Sequence, residues 1–346
     1  MPGKVVTFGE VMLRLTTPGH QRFVQARSFD ISFGGAEANV AVSLANFGMQ
    51  AEYVTRLPAN ELGDACVNSL RQVGVGTGSI LRGGDRMGVY FLESGIAQRG
   101  STVLYDRAGS SIATLQPGEL DWHKVLAGAT WFHWTGITPA ISANLAEVLA
   151  EGCRTARDLG ITISCDLNYR AKLWKWGRPA GEVMAELAPY CDLIIANEED
   201  ADTVFGIRAP ETDVTAGEVE AARYRTVCEA LGERFPNLTF VAVTLRGSKS
   251  ASHNSWSGVL WHRSGQFLQG PTYDILPIED RVGGGDAFGG GLIFGLLSFG
   301  EDYLKALRFA VAASCLKHTL PGDYNMVTRA EVERLMRGDA SGRVKR

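Results

Sequence analysis

The sequence of 346 residues contains no uninterrupted apolar run of about 18 residues, the length that a transmembrane helix requires. Its first residues, MPGKVVTFGEVMLRL, lack the charged and then apolar pattern of a secretory signal. The six cysteines form no C-x-x-C pair, and in a chain of this length they favour reduced thiols over a disulfide scaffold. These absences together predict a cytoplasmic protein that has no membrane partner.

Clustered positive charge and metal-binding motifs are also missing. The 34 Lys and Arg residues are outnumbered by 38 Asp and Glu residues, and the longest basic stretch is GRVKR at the C-terminus. Proteins that bind nucleic acid carry a basic surface, so this composition argues against nucleic acid as a partner. The six histidines show neither H-x-x-x-H nor a paired Cys/His spacing. We therefore predict no metal site built by protein side chains alone.

Strand-like and helix-like segments alternate along most of the chain. VVTFGEVMLRL (5–15) precedes AEANVAVSLANFG (36–48), and the same order recurs where ATWFHWTG precedes residues 139–159 and where ITISCDLN precedes EVMAELAPYC. This alternation predicts an α/β fold with a doubly wound, mainly parallel sheet and helices on both faces. Residues 85–107 differ, because RMGVYFLESG and STVLYDR are two strand-like runs with no helix between them. They predict a small antiparallel sheet.

The domain organisation follows from this pattern. We predict a single α/β domain over residues 1–335, with a small β lid contributed mainly by about 10–33 and 85–107, and a C-terminal tail at 336–346. The edges of the small sheet need cover, which predicts a homodimer or a higher homo-oligomer.

A glycine cluster, RVGGGDAFGG at 281–290, stands directly before the apolar run GLIFGLL. Gly283, Gly284 and Gly285 let a ligand approach the backbone, and the following helix presents unpaired N–H groups, which together suit an anion. Asp286 would lie beside that anion, where it could accept a proton from an attacking hydroxyl. For an isolated G-G-G-D, a turn with Asp286 as the helix N-cap is the more common explanation, so the function depends on the rest of the chain. The sequence has no G-x-x-x-x-G-K-[ST] and no G-x-G-x-x-G after a strand, which excludes a P-loop and argues against a dinucleotide site.

A second glycine element lies near the other end of the chain. DISFGGAEANVAVSLANFG places Gly34 and Gly35 before a helix that carries Asn39. With its G-G-A-x-x-N-x-A-x-x-L-A-x-x-G motif at 34–48 and D-x-x-G-[AG]-G-D-A-F from residue 280, the sequence resembles the ribokinase-like (PfkB) carbohydrate kinases over nearly its whole length. The resemblance implies a ribokinase-like fold and the use of ATP with Mg²⁺. It also implies that Asp286 is the catalytic base and that the backbone of the glycine triad forms an anion hole.

Several stretches are similar to family members that phosphorylate 2-keto-3-deoxygluconate, namely VYFLESG, VLYDRAGSS, DLNYRAKLW and LKHTLPGDYNMVT. The resemblance implies a sugar acid as substrate, whose carboxylate requires cations such as arginine. The implied substrate-binding residues are Gly34, Gly35, Asn39, Tyr90, Tyr105, Arg107, Arg170 and Asp286. Tyrosines in strands are also common for packing reasons, and a loop arginine is often a solvated charge.

The resemblance also implies a nucleotide side of the site. NEED at 197–200 is similar to an N-x-x-E motif that organises Mg²⁺ and phosphates, and it leaves open whether Asp200 or Glu199 takes the acidic role. An acidic first turn of a helix is the alternative. VTLRGSKSASHN stands where relatives carry a V-T-x-G-x-x-G loop, with Arg246 in place of the first glycine. Mg²⁺ is expected near Asn197 and Asp200, and the implied nucleotide-binding residues are Asn197, Asp200, Thr244, Arg246, Gly247, Gly283, Gly285 and His318.

Two other functions stay open at this stage. Relatives that use neutral sugars, chiefly fructokinases, can share a D-x-N-x-R stretch. A sugar-binding regulator could keep the fold without the chemistry, although it would not require a base at Asp286.

Overall fold

The computed structural model describes residues 3–197, 199–208 and 218–339, and for 218–222 only the backbone. Its strands are β1 (Lys4–Phe8), β2 (Met12–Thr16), β3 (Asp30–Gly34), β4 (Ala51–Leu57), β5 (Ile80–Arg82), β6 (Val89–Glu93), β7 (Thr102–Asp106), β8 (Ala129–Thr135), β9 (Thr162–Asp166), β10 (Leu193–Ala196), β11 (Phe240–Ser250), β12 (His253–His262), β13 (Phe267–Gln269) and β14 (Tyr273–Ile275). Its α-helices are α1 (Ala36–Asn46), α2 (Glu61–Gln72), α3 (Trp122–Leu126), α4 (Ile137–Ile141), α5 (Ala143–Asp158), α6 (Ala180–Leu187), α7 (Asp200–Phe205), α8 (Glu218–Arg234), α9 (Gly284–Ser298), α10 (Tyr303–Lys317) and α11 (Arg329–Met336).

The large sheet confirms the predicted doubly wound α/β architecture. Its strands lie in the order β5-β4-β1-β8-β9-β10-β11, all parallel, and β12 then pairs antiparallel with β11, β13 and β14. Buried side chains form one core with α3, α5, α6, α7 and α8 on one face, and a second core with α1, α2, α9, α10 and α11 on the other. Burial on both faces explains why strands such as β10 (LIIA) are apolar throughout.

A separate four-stranded sheet lies beside the large one, in the order β3-β2-β6-β7. The pair β6 and β7 is antiparallel, as the two runs in 85–107 predict, while β2 and β6 are parallel. These strands fall in or next to the stretches assigned to the lid, whose boundaries stay a prediction. Of the predicted C-terminal tail, residues 340–346 lie outside the described residues.

The β-rich opening at 5–15 is divided between the two sheets. β1 joins the large sheet and β2 the small one, and the chain changes direction at Gly9, Glu10 and Val11. A Cβ at Gly9 would lie 2.1 Å from the carboxyl carbon of Glu37, so glycine leaves room at this turn for the Glu37 side chain of α1. The division brings the small sheet over the carboxyl ends of the large sheet's strands.

Among the described residues, no helix combines the length and apolar character that a membrane crossing needs.

Candidate active site

A cleft of about 1070 Å³ opens between β7 of the small sheet and the carboxyl ends of β9 and β10, with the start of α9 at its floor. In parallel α/β sheets ligands collect at this edge, because loops and helix N-termini converge there. The cleft is lined by most of the predicted site residues: Gly34, Gly35, Asn39, Tyr90, Tyr105, Arg107, Arg170, Asn197, Asp200, Thr244, Arg246, Gly283, Gly284, Gly285 and Asp286.

Two predicted nucleotide-binding residues, Gly247 and His318, lie outside this lining. The His318 ring lies behind the glycine triad, since a Cβ at Gly284 would be 2.7 Å from it. Its Nδ1 carries the proton, because it donates to the Ser314 carbonyl at 2.7 Å. Burial lowers the His318 pKa to about 4. The ring is therefore neutral at pH 7, and a direct contact with nucleotide stays a prediction.

Asp286 lies half-buried at the start of α9, and its carboxylate faces α1. Asn39 Nδ2 donates to Asp286 Oδ2 at 2.7 Å, and Gly35 N–H donates weakly to Asn39 Oδ1 at 3.4 Å. Burial raises the pKa of Asp286 to about 6, and the Asn39 hydrogen bond opposes that rise. The residue at the N-cap position is Gly283, so the interpretation of Asp286 as an N-cap is wrong. Asp286 remains mostly ionised at neutral pH and can accept a proton.

The glycine triad has distinct local geometry at each position. Gly283 has φ 83°, a left-handed conformation, and a Cβ there would lie 2.2 Å from the Asp323 carbonyl oxygen. A Cβ at Gly285 would meet nothing within 4 Å, because this residue faces the open cleft. The N–H groups of a first helical turn lack intrahelical acceptors. The start of α9 thus offers backbone donors and a positive dipole end to an anion.

The predicted substrate arginines have different surroundings. Arg107 Nη2 forms an ion pair with the buried Glu10, whose other carboxylate oxygen accepts from Ser110 at 2.5 Å. Arg170 is exposed at the cleft wall, and its Nη1 donates to the Tyr169 carbonyl at 2.9 Å. Arg107 is therefore a fixed cation with a partner, whereas Arg170 can reorient towards a ligand.

The two predicted tyrosines are cross-strand neighbours in the small sheet, with ring centroids 5.8 Å apart. Tyr90 is buried and donates its hydroxyl proton to Asp323, whereas Tyr105 is 52% exposed and contacts the Arg107 guanidinium. Tyr90 thus stabilises the fold through its hydrogen bond to Asp323 and also lines the cleft. The exposed Tyr105 ring is the one available to cover a ligand.

On the other side of the cleft, Asp200 organises the NEED turn. Its carboxylate accepts from the N–H groups of Asn197 at 3.1 Å and Tyr169 at 3.3 Å, and Asn197 Oδ1 accepts from the Asp200 N–H at 3.0 Å. Asp200 is buried, and burial raises its pKa. Both Asp200 and Glu199 line the cleft, so their division of roles stays open.

Sequence reasoning missed several carboxylates in the cleft wall. Glu37 is fully buried and accepts from the hydroxyls of Thr135 at 2.8 Å and Thr138 at 2.7 Å, and burial raises its pKa to about 7. Asp166 ends β9, and burial beside Asp200 and Asp286 raises its pKa well above the usual range. The sequence could have indicated Asp166, because it begins DLNY at the end of a predicted strand. Glu37 occupies an unspecified position of the G-G-A-x-x-N motif, so nothing in the sequence singles it out.

A buried ionic network lies beneath the glycine triad and was also missed. Arg14 on β2 forms ion pairs with Asp280 and with Asp323, the second at 2.6 Å. Lys317 is fully buried beside them, and its Nζ donates to the carbonyls of Leu320 at 3.2 Å and Asp280 at 3.4 Å. The network connects the small sheet, the loop before α9 and the segment after α10. It holds the two walls of the cleft together.

Comparisons with known proteins agree with this architecture. Residues 2–329 match the sequence profile of the pfkB family carbohydrate kinases. The 2-dehydro-3-deoxygalactonokinase of Haloferax volcanii is 33% identical over 342 residues, which cover 99% of each chain. The crystal structure of 2-dehydro-3-deoxygluconokinase from Thermotoga maritima is 47% identical, with a TM-score of 0.90 and coverage of 97% of this chain and 98% of that one.

The ATP-bound crystal structure of fructokinase from Xylella fastidiosa shares the fold at 22% identity, with a TM-score of 0.78 and coverage of 97% of this chain and 98% of that one. The paired glycine motifs, the cleft between the two sheets and the full-length match to the family lead to one conclusion. This chain belongs to the pfkB family of carbohydrate kinases.

Proposed function

We propose that this chain transfers the γ-phosphoryl group of ATP to the primary hydroxyl of a sugar acid, 2-dehydro-3-deoxygluconate (2-keto-3-deoxygluconate), to form its 6-phosphate. The observation that carries the proposal is that one cleft joins the half-buried Asp286 at the start of α9 to Arg107 and Arg170. A base beside an anion-binding helix end suits a hydroxyl attacking a phosphoryl group, and two cations suit a substrate carboxylate. The name of the 47% identical Thermotoga relative supports the same substrate.

In the proposed mechanism Asp286 accepts the hydroxyl proton as the substrate oxygen bonds to the γ-phosphorus of ATP. The bond from that phosphorus to the β,γ-bridging oxygen breaks, and ADP leaves. The Gly285 N–H would face the charge on the transferred group, whereas the Gly284 N–H already donates to the Arg281 carbonyl at 3.3 Å. Such a loose transition state depends mainly on alignment and electrostatic stabilisation.

Mg²⁺ is the metal that we propose to accompany ATP. Asp166 and Asp200 both line the cleft, and after burial the charge of Asp200 is the next cause that raises the pKa of Asp166. Carboxylate oxygens are suitable ligands for Mg²⁺, so these two residues would hold the ion, with Asn197 beside Asp200 in the same turn. Bound there, the ion would neutralise phosphate charge. An ATP-dependent sugar kinase is expected in the cytoplasm.

The small sheet is proposed as a lid and as an oligomer interface. On the face away from the cleft, β3 and β7 expose Ile31 (69%) and Leu104 (53%), an apolar content that a second subunit would cover. Light scattering after size-exclusion chromatography tests this. A dimer that Ile31→Lys dissociates supports the interface, whereas a monomer at all concentrations contradicts it.

The experiment that tests the function is a coupled ADP-release assay with ATP and Mg²⁺. The acceptors are 2-dehydro-3-deoxygluconate, its galactonate epimer, fructose, ribose and adenosine. Turnover confined to the keto acids supports the proposal, and the ratio of the two epimers decides which relative's substrate this chain shares. Turnover with fructose alone would make the chain a fructokinase, and no turnover with any acceptor would favour a sugar-binding regulator.

The arginines provide a second arm of that assay. Arg107→Met and Arg170→Met should raise KM for the keto acid by about tenfold to 100-fold, because each loses a charge-assisted contact with the carboxylate. The kinetics of any slow neutral acceptor should change far less. If the substitutions change the kinetics of charged and neutral acceptors equally, the arginines do not recognise the carboxylate.

A further inference from the structure

Arg281 is a cleft residue to which neither glycine motif assigns a role. It lies two positions before Gly283, at an unspecified place of the D-x-x-G motif, and its side chain lines the cleft beside the start of α9. An arginine there brings a permanent positive charge next to the backbone donors of the glycine triad.

The Arg281 guanidinium is held in place by the turn between β11 and β12. Its Nε donates to the Ala251 carbonyl at 3.0 Å, and its Nη2 donates to the Ser250 carbonyl. These bonds use two of the five N–H donors of the group. The side chain is therefore oriented in advance, and the remaining donors are available to a ligand in the cleft.

The charge of Arg281 has no anionic partner within the described part of the chain. No carboxylate forms an ion pair with it there, and the neighbouring Asp280 is engaged by Arg14 and by the N–H groups of Val282 and Gly322. Burial lowers the pKa of Arg281, and Arg246, another cation of the cleft wall, is close enough to lower it further. The unpaired charge of Arg281 and a helix N-terminus thus converge on one region of the cleft, which suits a polyanion.

We propose that Arg281 binds the phosphate groups of the nucleotide, beside the glycine triad and together with Arg246, and that it is a catalytic residue of phosphoryl transfer. The inference rests on the proposed function, because it takes a nucleoside triphosphate as the anion. Arginine suits this role because its planar fork matches phosphate oxygens and its charge-assisted bonds are strong. The anchors at Ser250 and Ala251 fix the fork before the nucleotide arrives.

The test compares binding of ADP and adenosine by titration calorimetry. Arg281→Met should weaken ADP binding by about tenfold to 100-fold, the loss expected for a charge-assisted hydrogen bond, and should leave adenosine binding unchanged. In the kinase assay kcat/KM for ATP should fall at least as much, with KM for the sugar acid unaltered. Equal ADP affinity in wild type and Arg281→Met would overturn the inference.

A matched control separates anchoring from phosphate binding. Arg263 also donates to backbone carbonyls, those of Gly232, Phe235 and Leu238, but it lies away from the cleft. Arg263→Met should lower stability and leave ADP affinity unchanged. If Arg281→Met does not fold, Arg281→Gln keeps an amide donor for the carbonyl anchors, and unchanged ADP binding in that variant would equally overturn the inference.

The two proposals fail in different ways. A wild-type chain that binds neither ADP nor ATP would contradict the proposed kinase function. A wild-type chain that binds ADP, beside Arg281 variants that bind it equally well, would contradict only the role of Arg281.

Discussion

Asp286 has a proton affinity that its surroundings tune in opposite directions. Burial raises the pKa to about 6, while the Asn39 donor favours the ionised form. A carboxylate is a base only when ionised, so activity should rise with pH through this value. Asp286 is thus a stronger base than a solvated aspartate, and most of it is still ionised at pH 7.

Replacing the base tests its role directly. Asp286→Asn should lower kcat by about 10² to 10⁴ because the hydroxyl proton loses its acceptor, while substrate affinity is largely kept. Steady-state kinetics and calorimetric binding of the sugar acid measure the two effects. Turnover near the wild-type value would contradict the assignment of Asp286.

Removing the Asn39 amide should shift the pH profile. In Asn39→Ala the ionised Asp286 loses its 2.7 Å donor, its pKa rises, and the acid limb of kcat/KM moves from about 6 to a higher pH. Asn144→Ala, at an exposed asparagine of α5, is the control and should leave the limb in place. An unchanged limb in Asn39→Ala would show that Asp286 does not control the profile.

At the scale of elements, glycines determine how closely helices pack around the site. Gly291 and Gly295 of α9 face α10, where an added Cβ would lie 2.8 Å from the Cα of Ala310 and 2.6 Å from the Cα of Ala306, respectively. These contacts are with backbone, which cannot move aside easily. The same helix therefore uses glycine for packing in its middle and for ligand access at its start.

Two alanine substitutions in α9 should separate these roles. Gly295→Ala should lower the free energy of unfolding by about 1–3 kcal/mol through overpacking against α10. Gly285→Ala meets nothing within 4 Å, so stability should be kept, but its methyl group enters the anion space and should reduce kcat/KM. Urea unfolding and kinetics of both variants check this. A stable Gly295→Ala, or a fully active Gly285→Ala, would contradict the corresponding role.

At the scale of the whole molecule, one ionic network joins the small sheet to the main body. Arg14→Met would leave the buried Asp280 and Asp323 without their cation, so it should cost about 3–5 kcal/mol of stability. Arg154→Met removes an exposed pair with Glu147 and should cost about 1 kcal/mol or less. Chemical unfolding of both variants provides the comparison, and similar small losses would mean that the buried network contributes little.

A second link between the two sheets lies at the turn between β6 and β7 of the small sheet. The Ala97 carbonyl, between β6 and β7, accepts from the Ala251 N–H at 2.7 Å, in the same turn that anchors Arg281. Sugar acid and ATP together should close the lid and slow hydrogen exchange in residues 85–107, because closure excludes water from the reaction. Exchange that both ligands leave unchanged would rule out the lid.

Much of this organisation follows from local sequence. The alternation of strands and helices, the glycine triad at the start of α9 and the Gly34–Gly35 turn before α1 depend on residue types within a few positions. Backbone freedom and hydrophobic periodicity are properties of neighbouring residues, so both can be inferred from the sequence without knowledge of the fold. The resemblance to a family then pointed to Asn39, Tyr90, Arg107 and Arg170, all of which lie in the cleft.

Only the tertiary structure decided how these parts meet. The division of residues 5–15 between two sheets, the pairing of Arg107 with Glu10 and the burial of Glu37 depend on segments distant in the chain. Arg14 and Asp323, 309 positions apart, become ion-pair partners. Burial and charge pairing depend on the whole packed molecule. The sequence therefore determined which elements form and where an anion can bind. The tertiary structure determined which charged side chains pair around that site and how their pKa values shift.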